Sequence, residues 1–245
     1  MLEKILEYER DIFLWLNGNH NSFWDNFFWL YTGQVVWIPI GLLIIFMFFI
    51  SFDITIPGPS SSSLIATISI YKKEWKDALL ILLSIVLVIT LCDQLSSYIC
   101  KPYFMRFRPT HHPDFMDYVK IVNDYRGGKY GFISGHASNA FGFATFTLLL
   151  FRHRWYTISI LLWSTLMAYS RIYLGVHFIS DIIPGGMAGM LIGFGCYKLY
   201  VLLRCKLLKK STDPSHAYNS LHNKIILSAK FTTILIMLVY SCFIR

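Results

Sequence analysis

ALLILLSIVLVITLCDQLSSYIC, residues 78–100, carries one formal charge, Asp93. About 20 apolar residues are enough to cross the hydrocarbon of a bilayer as a helix. The helix is dictated by the solvent, because lipid offers no partner for an unpaired backbone N–H or C=O. Outward from this stretch the pattern repeats. Phe27–Phe52 has no formal charge, nor do Ala137–Phe151, Trp155–Ser170 and Ile182–Tyr197, while Ile225–Ile244 holds only Lys230. The three shorter runs reach spanning length if Gly131–Gly135, Arg171–Leu174 and Leu199–Leu203 extend them. Composition agrees: 55% of the 245 residues are hydrophobic and 15% charged, and the mean hydropathy is +0.50. A water-soluble domain has too little polar surface here to enclose so many apolar runs. The fold expected is all-α: a polytopic membrane helix bundle of five or six transmembrane helices, forming a single integral membrane domain over 1–245. Residues 225–244 supply its additional C-terminal span.

The first 20 residues differ from the rest. Glu3, Glu7, Glu9, Arg10 and Asp11 alternate with Ile5, Ile12, Phe13, Leu14 and Leu16. This pattern suits a short amphipathic helix at the membrane interface rather than a cleaved signal peptide. A turn at Asn17–Asn21 precedes the aromatic cluster Phe23, Trp24, Phe27, Phe28, Trp29 and Tyr31, a composition favoured at head-group level. Ser60–Ser63 reads as a short polar linker. The five cysteines are scattered and suggest neither a disulfide framework nor a metal knuckle.

Basic residues orient the bundle. Lys72, Lys73 and Lys76, then Arg152 and Arg154, then Arg204, Lys206, Lys209 and Lys210 fall on one side of an alternating topology. Basic excess marks the cytoplasmic side, so the second-to-third and fourth-to-fifth connections face outward. The outward loop is also basic, with Lys101, Arg106, Arg108, Lys120, Arg126 and Lys129. Charge placed against the orientation rule points to an anionic ligand.

Three polar stretches lie on that outward side. The first is KPYFMRFRP (101–109), ending in a proline that stiffens the turn. The second is GFISGHASN (131–139), at the start of a span, where free helix N–H groups attract anions. The third is YSRIYLGVHFISD (169–181), whose His177 and Asp181 are spaced to share a helical face. A plainer reading of the third is an Arg171–Asp181 ion pair at a helix end. Together they bring two histidines, an aspartate and three permanent cations to one membrane face, which is the inventory for phosphoryl transfer without a metal.

These stretches resemble the three-part motif of the type 2 phosphatidic acid phosphatase superfamily. Lys101, Arg108 and Pro109 match the first part, and Ser170, Arg171, His177 and Asp181 the third. Ser134, Gly135 and His136 match the second, with Ile133 where the family has proline. The resemblance covers a catalytic core at 78–197. It implies that His177 attacks phosphorus and forms a phosphohistidine, with Asp181 orienting its ring and His136 protonating the leaving oxygen. Lys101, Arg108 and Arg171 bind the phosphoryl oxygens, assisted by Ser134 and the Gly135 backbone. No cofactor and no metal are implied, and no nucleic-acid partner.

A phosphatase at the lipid boundary implies a lipid phosphate or diphosphate as substrate. The compact core is similar to bacterial undecaprenyl-diphosphate phosphatases, in the inner (cytoplasmic) membrane with the site on the periplasmic side. Lipid A, phosphatidylglycerophosphate and phosphatidic acid are the alternative substrates, and a non-catalytic lipid-binding or transport protein is the competing class. The insert 110–129 offers Arg126 and Lys129 for head-group binding, and the neighbouring His111 and His112 are weak metal candidates. Asp93, inside a span, needs a partner or a hydrogen-bond network.

Overall fold

The structure, a computed structural model, describes residues 2–55, 67–215, 218 and 220–243. The Ser60–Ser63 linker lies outside the described residues. The chain is mostly helical, as expected, but not purely so. Helices α1 (Leu2–Asn17), α2 (Ser22–Thr32) and α3 (Gln34–Phe49) lead into strands β1 (Ile50–Thr55) and β2 (Thr67–Lys72). Then follow α4 (Trp75–Asp93), a π-helical turn (Gln94–Cys100), α5 (Lys101–Phe104), α6 (Gly135–Phe151), α7 (Arg154–Tyr173), α8 (Ile179–Leu208) and α9 (Ser220–Phe243). The antiparallel β1–β2 hairpin, with Ile50 opposite Lys72, departs from the all-α expectation. It claims the end of the run Phe27–Phe52, where β-branched Ile50 and the charge at Asp53 replace helix-favouring apolar residues.

Among the described residues, three helices are long and apolar enough to cross a membrane: Trp75–Phe104, Ile179–Leu208 and Leu221–Phe243. The first apolar run is a bent pair, α2 and α3 meeting at 46°, with Gly33 between them. The third run falls short of the length expected, because α6 starts at Gly135 and has 17 residues. Residues 131–134 are spent on the site instead.

Core packing fixes where that site lies. α6 and α8 approach closely along Gly185, Gly189 and Gly193 of α8. A Cβ at Gly189 would sit 2.1 Å from the Ser138 carbonyl oxygen, and one at Gly193 2.4 Å from that of Gly142. Small residues at such spacing are how membrane helices gain contact without a hydrophobic driving force between them. Val88 and Ile81 of α4, Phe146 and Leu150 of α6, and Tyr200 of α8 are buried beside this seam. Leu83, Val86, Leu162, Leu191 and Phe231 are exposed, an apolar exterior suited to lipid.

α1 is more than an interfacial helix. Phe13 is fully buried between Phe115 and Phe178, and Asn17 donates to the carbonyls of Ile172, Tyr173 and Lys120. It closes one side of the end of the bundle that holds His177 and Asp181. Part of the aromatic cluster of α2 likewise turns inward: Phe27, Phe28 and Tyr31 are buried in a core shared with Met167, Tyr173 and Met237, while Trp24 and Trp29 stay exposed.

Candidate active site

His177 lies in the turn between α7 and α8, and Asp181 in the first turn of α8. The pair therefore does not share a helical face. Asp181 folds back over the helix start, where its Oδ2 accepts from the Phe178 N–H at 3.0 Å and faces His177 Nδ1 at 3.3 Å. A carboxylate at the N-terminal turn satisfies a free N–H and complements the helix dipole. It also selects the tautomer with hydrogen on Nδ1, leaving Nε2 with the lone pair. Both side chains are shut from solvent.

Arg108 follows the turn after α5. Its Nε donates to the Tyr130 carbonyl at 3.2 Å and its Nη1 to the Val176 carbonyl at 3.3 Å. This fixes Nη1 at 3.4 Å from His177 Nε2, beside the atom that would bond to phosphorus. The backbone of Gly127, at φ +67°, comes so close that a Cβ there would be 2.8 Å from Nη1. Lys101 leans on Ser97 Oγ at 3.3 Å.

Ser134 caps α6, its Oγ accepting from Ala137 N at 3.4 Å, while its own N–H donates to the Asp181 carbonyl at 2.9 Å. Gly131 admits Asp181: a Cβ would stand 2.9 Å from its Oδ2 and 3.5 Å from His177 Nδ1. His136, the second residue of α6, lines a cavity of about 230 Å³ with Thr32, Asn139 and Trp163. Lys101, Arg108, Arg171 and His177 all lie near enough to act on it electrostatically. The structure thus brings the three polar stretches together at one end of the bundle.

The Arg171–Asp181 ion pair does not form. Arg171 is buried, with Nη1 donating to Thr32 Oγ1 at 2.7 Å and Nη2 to the Tyr125 hydroxyl at 3.1 Å. Its Nε is buried without a partner among the described residues. Burial, followed by the charges of Arg108, Arg171, Lys101 and Arg106, holds His177 well below the usual histidine value. A neutral imidazole is what a nucleophile needs.

Asp181 is neutralised by a residue that the sequence reading left unassigned. Arg106 Nη1 donates to Asp181 Oδ1 at 2.7 Å and Nη2 to Glu9 Oε2 at 2.8 Å. Glu9 Oε1 accepts from the Ser180 N–H at 2.9 Å and from the Ser180 hydroxyl. Arg106 also covers the Phe178 ring at 4.8 Å. Thr32 and Tyr125, which hold Arg171, were missed too. The one available signal was the unexplained basic excess of the outward loop, part of which is Arg106 balanced from α1.

The remaining candidates are less central. Arg126 and Lys129 are exposed; Arg126 Nη1 donates to the Thr110 carbonyl at 3.2 Å, and Lys129 lies over the Phe107 ring at 5.4 Å. His111 pairs with Thr110 and His112 with Arg10, so the two imidazoles do not converge. Asp93 Oδ1 accepts from Asn139 Nδ2 at 3.4 Å, a hydrogen-bond role.

Comparison with known proteins agrees with this geometry. The model of the PAP2 superfamily matches residues 77–205. A lipid A 4'-phosphatase of Porphyromonas gingivalis is 45% identical over 217 residues, spanning 88% of this chain and 82% of the relative. A lipid A 4'-phosphatase of Bacteroides thetaiotaomicron is 31% identical, with 98% of each chain aligned. Among solved structures, Aquifex aeolicus LpxE superposes with a TM-score of 0.52 at 23% identity, over 77% of this chain and 93% of that one. A transmembrane PAP2 type phosphatidylglycerolphosphate phosphatase from Bacillus subtilis gives 0.56 at 22% identity, over 80% and 86%. With the family model matched over more than half its length, this chain belongs to the PAP2 superfamily and is a membrane-embedded lipid phosphatase.

Proposed function

We propose that this protein removes a phosphate monoester from a phosphorylated glycolipid of the lipid A type, through a phosphohistidine at His177. The observation that carries the substrate is the pair of lipid A 4'-phosphatase relatives that align over 82% and 98% of their lengths. By contrast, a phosphatidylglycerophosphatase B of Bacillus subtilis aligns over 51% of this chain. The undecaprenyl diphosphate reading drawn from the compact core gives way to this alternative.

The geometry supports the chemistry. His177 Nε2 attacks phosphorus; a P–N bond forms as the P–O bond to the lipid breaks, and His136 gives its proton to the departing oxygen. His136 then takes a proton from water as that water attacks phosphorus and the P–N bond breaks, releasing inorganic phosphate. Arg108, held beside Nε2, Lys101 and the free Nε of Arg171 balance charge on the phosphoryl oxygens, aided by the helix start at Ser134 and Gly135. Arg126 and Lys129, at the outward rim, meet the sugar head group. The site faces the periplasmic side of the inner membrane, opposite the Lys73, Arg204 and Lys210 cluster.

The test is phosphate release by purified protein from bisphosphorylated lipid A, undecaprenyl diphosphate, phosphatidylglycerophosphate and phosphatidic acid in one detergent, with mass spectrometry of the products. The highest kcat/KM is expected for lipid A, with loss of the 4'-phosphate. A preference for any of the other three overturns the assignment.

A further inference from the structure

The cavity beside His136 carries two buried polar atoms that lack partners. Asn139 Oδ1 and Trp163 Nε1 are both buried without a hydrogen bond among the described residues, and both residues line the cavity. One is an acceptor and the other a donor. The assignment of Asn139 is not arbitrary, because its other amide atom faces the acceptor Asp93 Oδ1 and must be nitrogen. The two residues sit at the same depth. Ser164, next to Trp163, donates to the carbonyl of Ala140, next to Asn139, at 3.1 Å. Edge contacts with Trp37 at 5.6 Å and Phe143 at 6.3 Å hold the indole in place. Buried polar groups left unpaired are costly, and a ligand that brings an acceptor and a donor into this cavity would pair both.

The rest of the wall says which part of a ligand belongs there. His136, the proton donor to the leaving oxygen, opens onto the cavity, as does Thr32, the partner of Arg171. The leaving lipid must therefore start on this side. Next to it, a second cavity of about 160 Å³ shares the Trp37, Phe143 and Trp163 walls and is mostly apolar beyond them, its polar groups being the Tyr156 hydroxyl and Lys230, the latter already bonded to Ser159 at 2.9 Å. This is room for a hydrocarbon chain with one polar group near its head.

We propose that the cavity is an acyl-chain subsite that reads a secondary amide. The amide carbonyl of the chain accepts from Trp163 Nε1, and its N–H donates to Asn139 Oδ1. An ester satisfies the indole but has no N–H, so it leaves Asn139 Oδ1 orphaned, and a site that loses a buried hydrogen bond discriminates strongly. The subsite would select N-acylated amino-sugar phosphates over O-acylated lipids such as phosphatidic acid. It rests on the glycolipid reading above and adds the group recognised.

The experiment compares two synthetic monosaccharide 4-phosphates that differ only in carrying the acyl chain at position 2 as an amide or as an ester. For the wild-type enzyme kcat/KM is expected to favour the amide by about tenfold or more, the worth of one buried hydrogen bond. In Asn139→Leu the ratio should fall to within about threefold of unity, whereas Trp163→Phe, which deletes the N–H and keeps an aromatic ring, should lower kcat/KM for amide and ester alike. Equal use of amide and ester by the wild type overturns the subsite without needing any variant to fold, and so does an undiminished ratio in Asn139→Leu. If neither sugar phosphate is hydrolysed while phosphatidic acid is, the glycolipid reading itself fails.

Discussion

Arg106→Met should cripple phosphoryl transfer while leaving substrate binding nearly intact. Asp181 is fully buried, and its Oδ1 is bonded to Arg106 at 2.7 Å across a side chain that is 26% exposed. Removing one partner of a buried ion pair costs about 3–5 kcal/mol, because the other charge stays behind uncompensated. Not all of that reaches the transition state. Asp181 Oδ2 keeps the Phe178 N–H and His177, so the carboxyl group remains roughly in place, but a buried carboxylate without its counter-ion takes up a proton more readily and is then a weaker counter-charge to the imidazolium side of His177. One charge-assisted hydrogen bond is worth about 1.5–3 kcal/mol. Taking about 2–3 kcal/mol into the barrier gives a rate loss of roughly 30- to 150-fold.

Rapid-quench measurement of phosphohistidine formation, with kcat and KM on the same preparations, is the assay. The loss should fall on the phosphorylation rate, with KM changed by less than about threefold, because Arg106 faces the carboxylate and not the phosphoryl site. Arg106→Lys should recover only part of the rate, since an ammonium cannot fork between Asp181 and Glu9 as a guanidinium does. Glu9→Gln should cost less than Arg106→Met, and most of its effect should vanish in the Arg106→Met background. The contact of Glu9 with Ser180 accounts for the rest. If Arg106→Met forms phosphoenzyme at the wild-type rate per folded molecule, Arg106 is only a packing residue and this reasoning fails.

His177→Ala should abolish both turnover and phosphoenzyme, while His136→Ala keeps most activity on substrates whose leaving oxygen needs no proton; quench labelling on an activated aryl phosphate distinguishes the two. His177 should also make stability pH-dependent. Its folded pKa lies below the ordinary value of 6.5, so the unfolded chain binds the proton first; its contribution is complete above about pH 6.5 and is lost as pH falls toward the folded pKa. The stability difference between wild type and His177→Asn should be constant above that pH, and wild type should lose stability relative to the variant as pH falls below it. Gly189→Ala would drive a Cβ to 2.1 Å from a backbone oxygen of α6, whereas Gly195 has nothing within 4 Å of that position. Melting in detergent should therefore show Gly189→Ala losing at least about 1–3 kcal/mol and Gly195→Ala losing nothing. Chelation with EDTA should leave the rate unchanged, since Lys101, Arg108 and Arg171 supply the positive charge.

The spans were legible in the sequence because lipid imposes one rule on every residue: a charge-free run must become helix. That rule found α4, α7, α8 and α9 to within a few residues. It failed where another demand competed. The run Phe27–Phe52 hides a bend at Gly33 and a strand at Ile50, since hydropathy does not report backbone direction. The run before Ala137 looked like more of α6, but residues 131–134 form the bend that lets Ser134 bond to Asp181 and lets Gly131 make room for it.

The proposed catalytic side chains were legible for a different reason. Lys101, Arg108, His136, Arg171, His177 and Asp181 have few other uses beside a bilayer, and their spacing within each stretch is short. What surrounds them was hidden by distance along the chain. Arg106 and Glu9 are separated by 97 positions, and Arg171 and Thr32 by 139. Nothing local marks Glu9 as different from Glu7 on the same amphipathic helix. Yet charge balance gave a hint. The 101–134 loop sets six cations against Asp114, Asp117 and Asp124, and part of the surplus, Arg106, is met by Glu9 of α1. An aspartate buried beside the proposed nucleophile of a membrane protein needs its own counter-charge, and that counter-charge needs a second acid to keep it from turning toward the phosphate. The N-terminal helix is then a structural requirement of placing Asp181 at the lipid boundary, and it should be required for turnover even though it contributes no atom to the reaction.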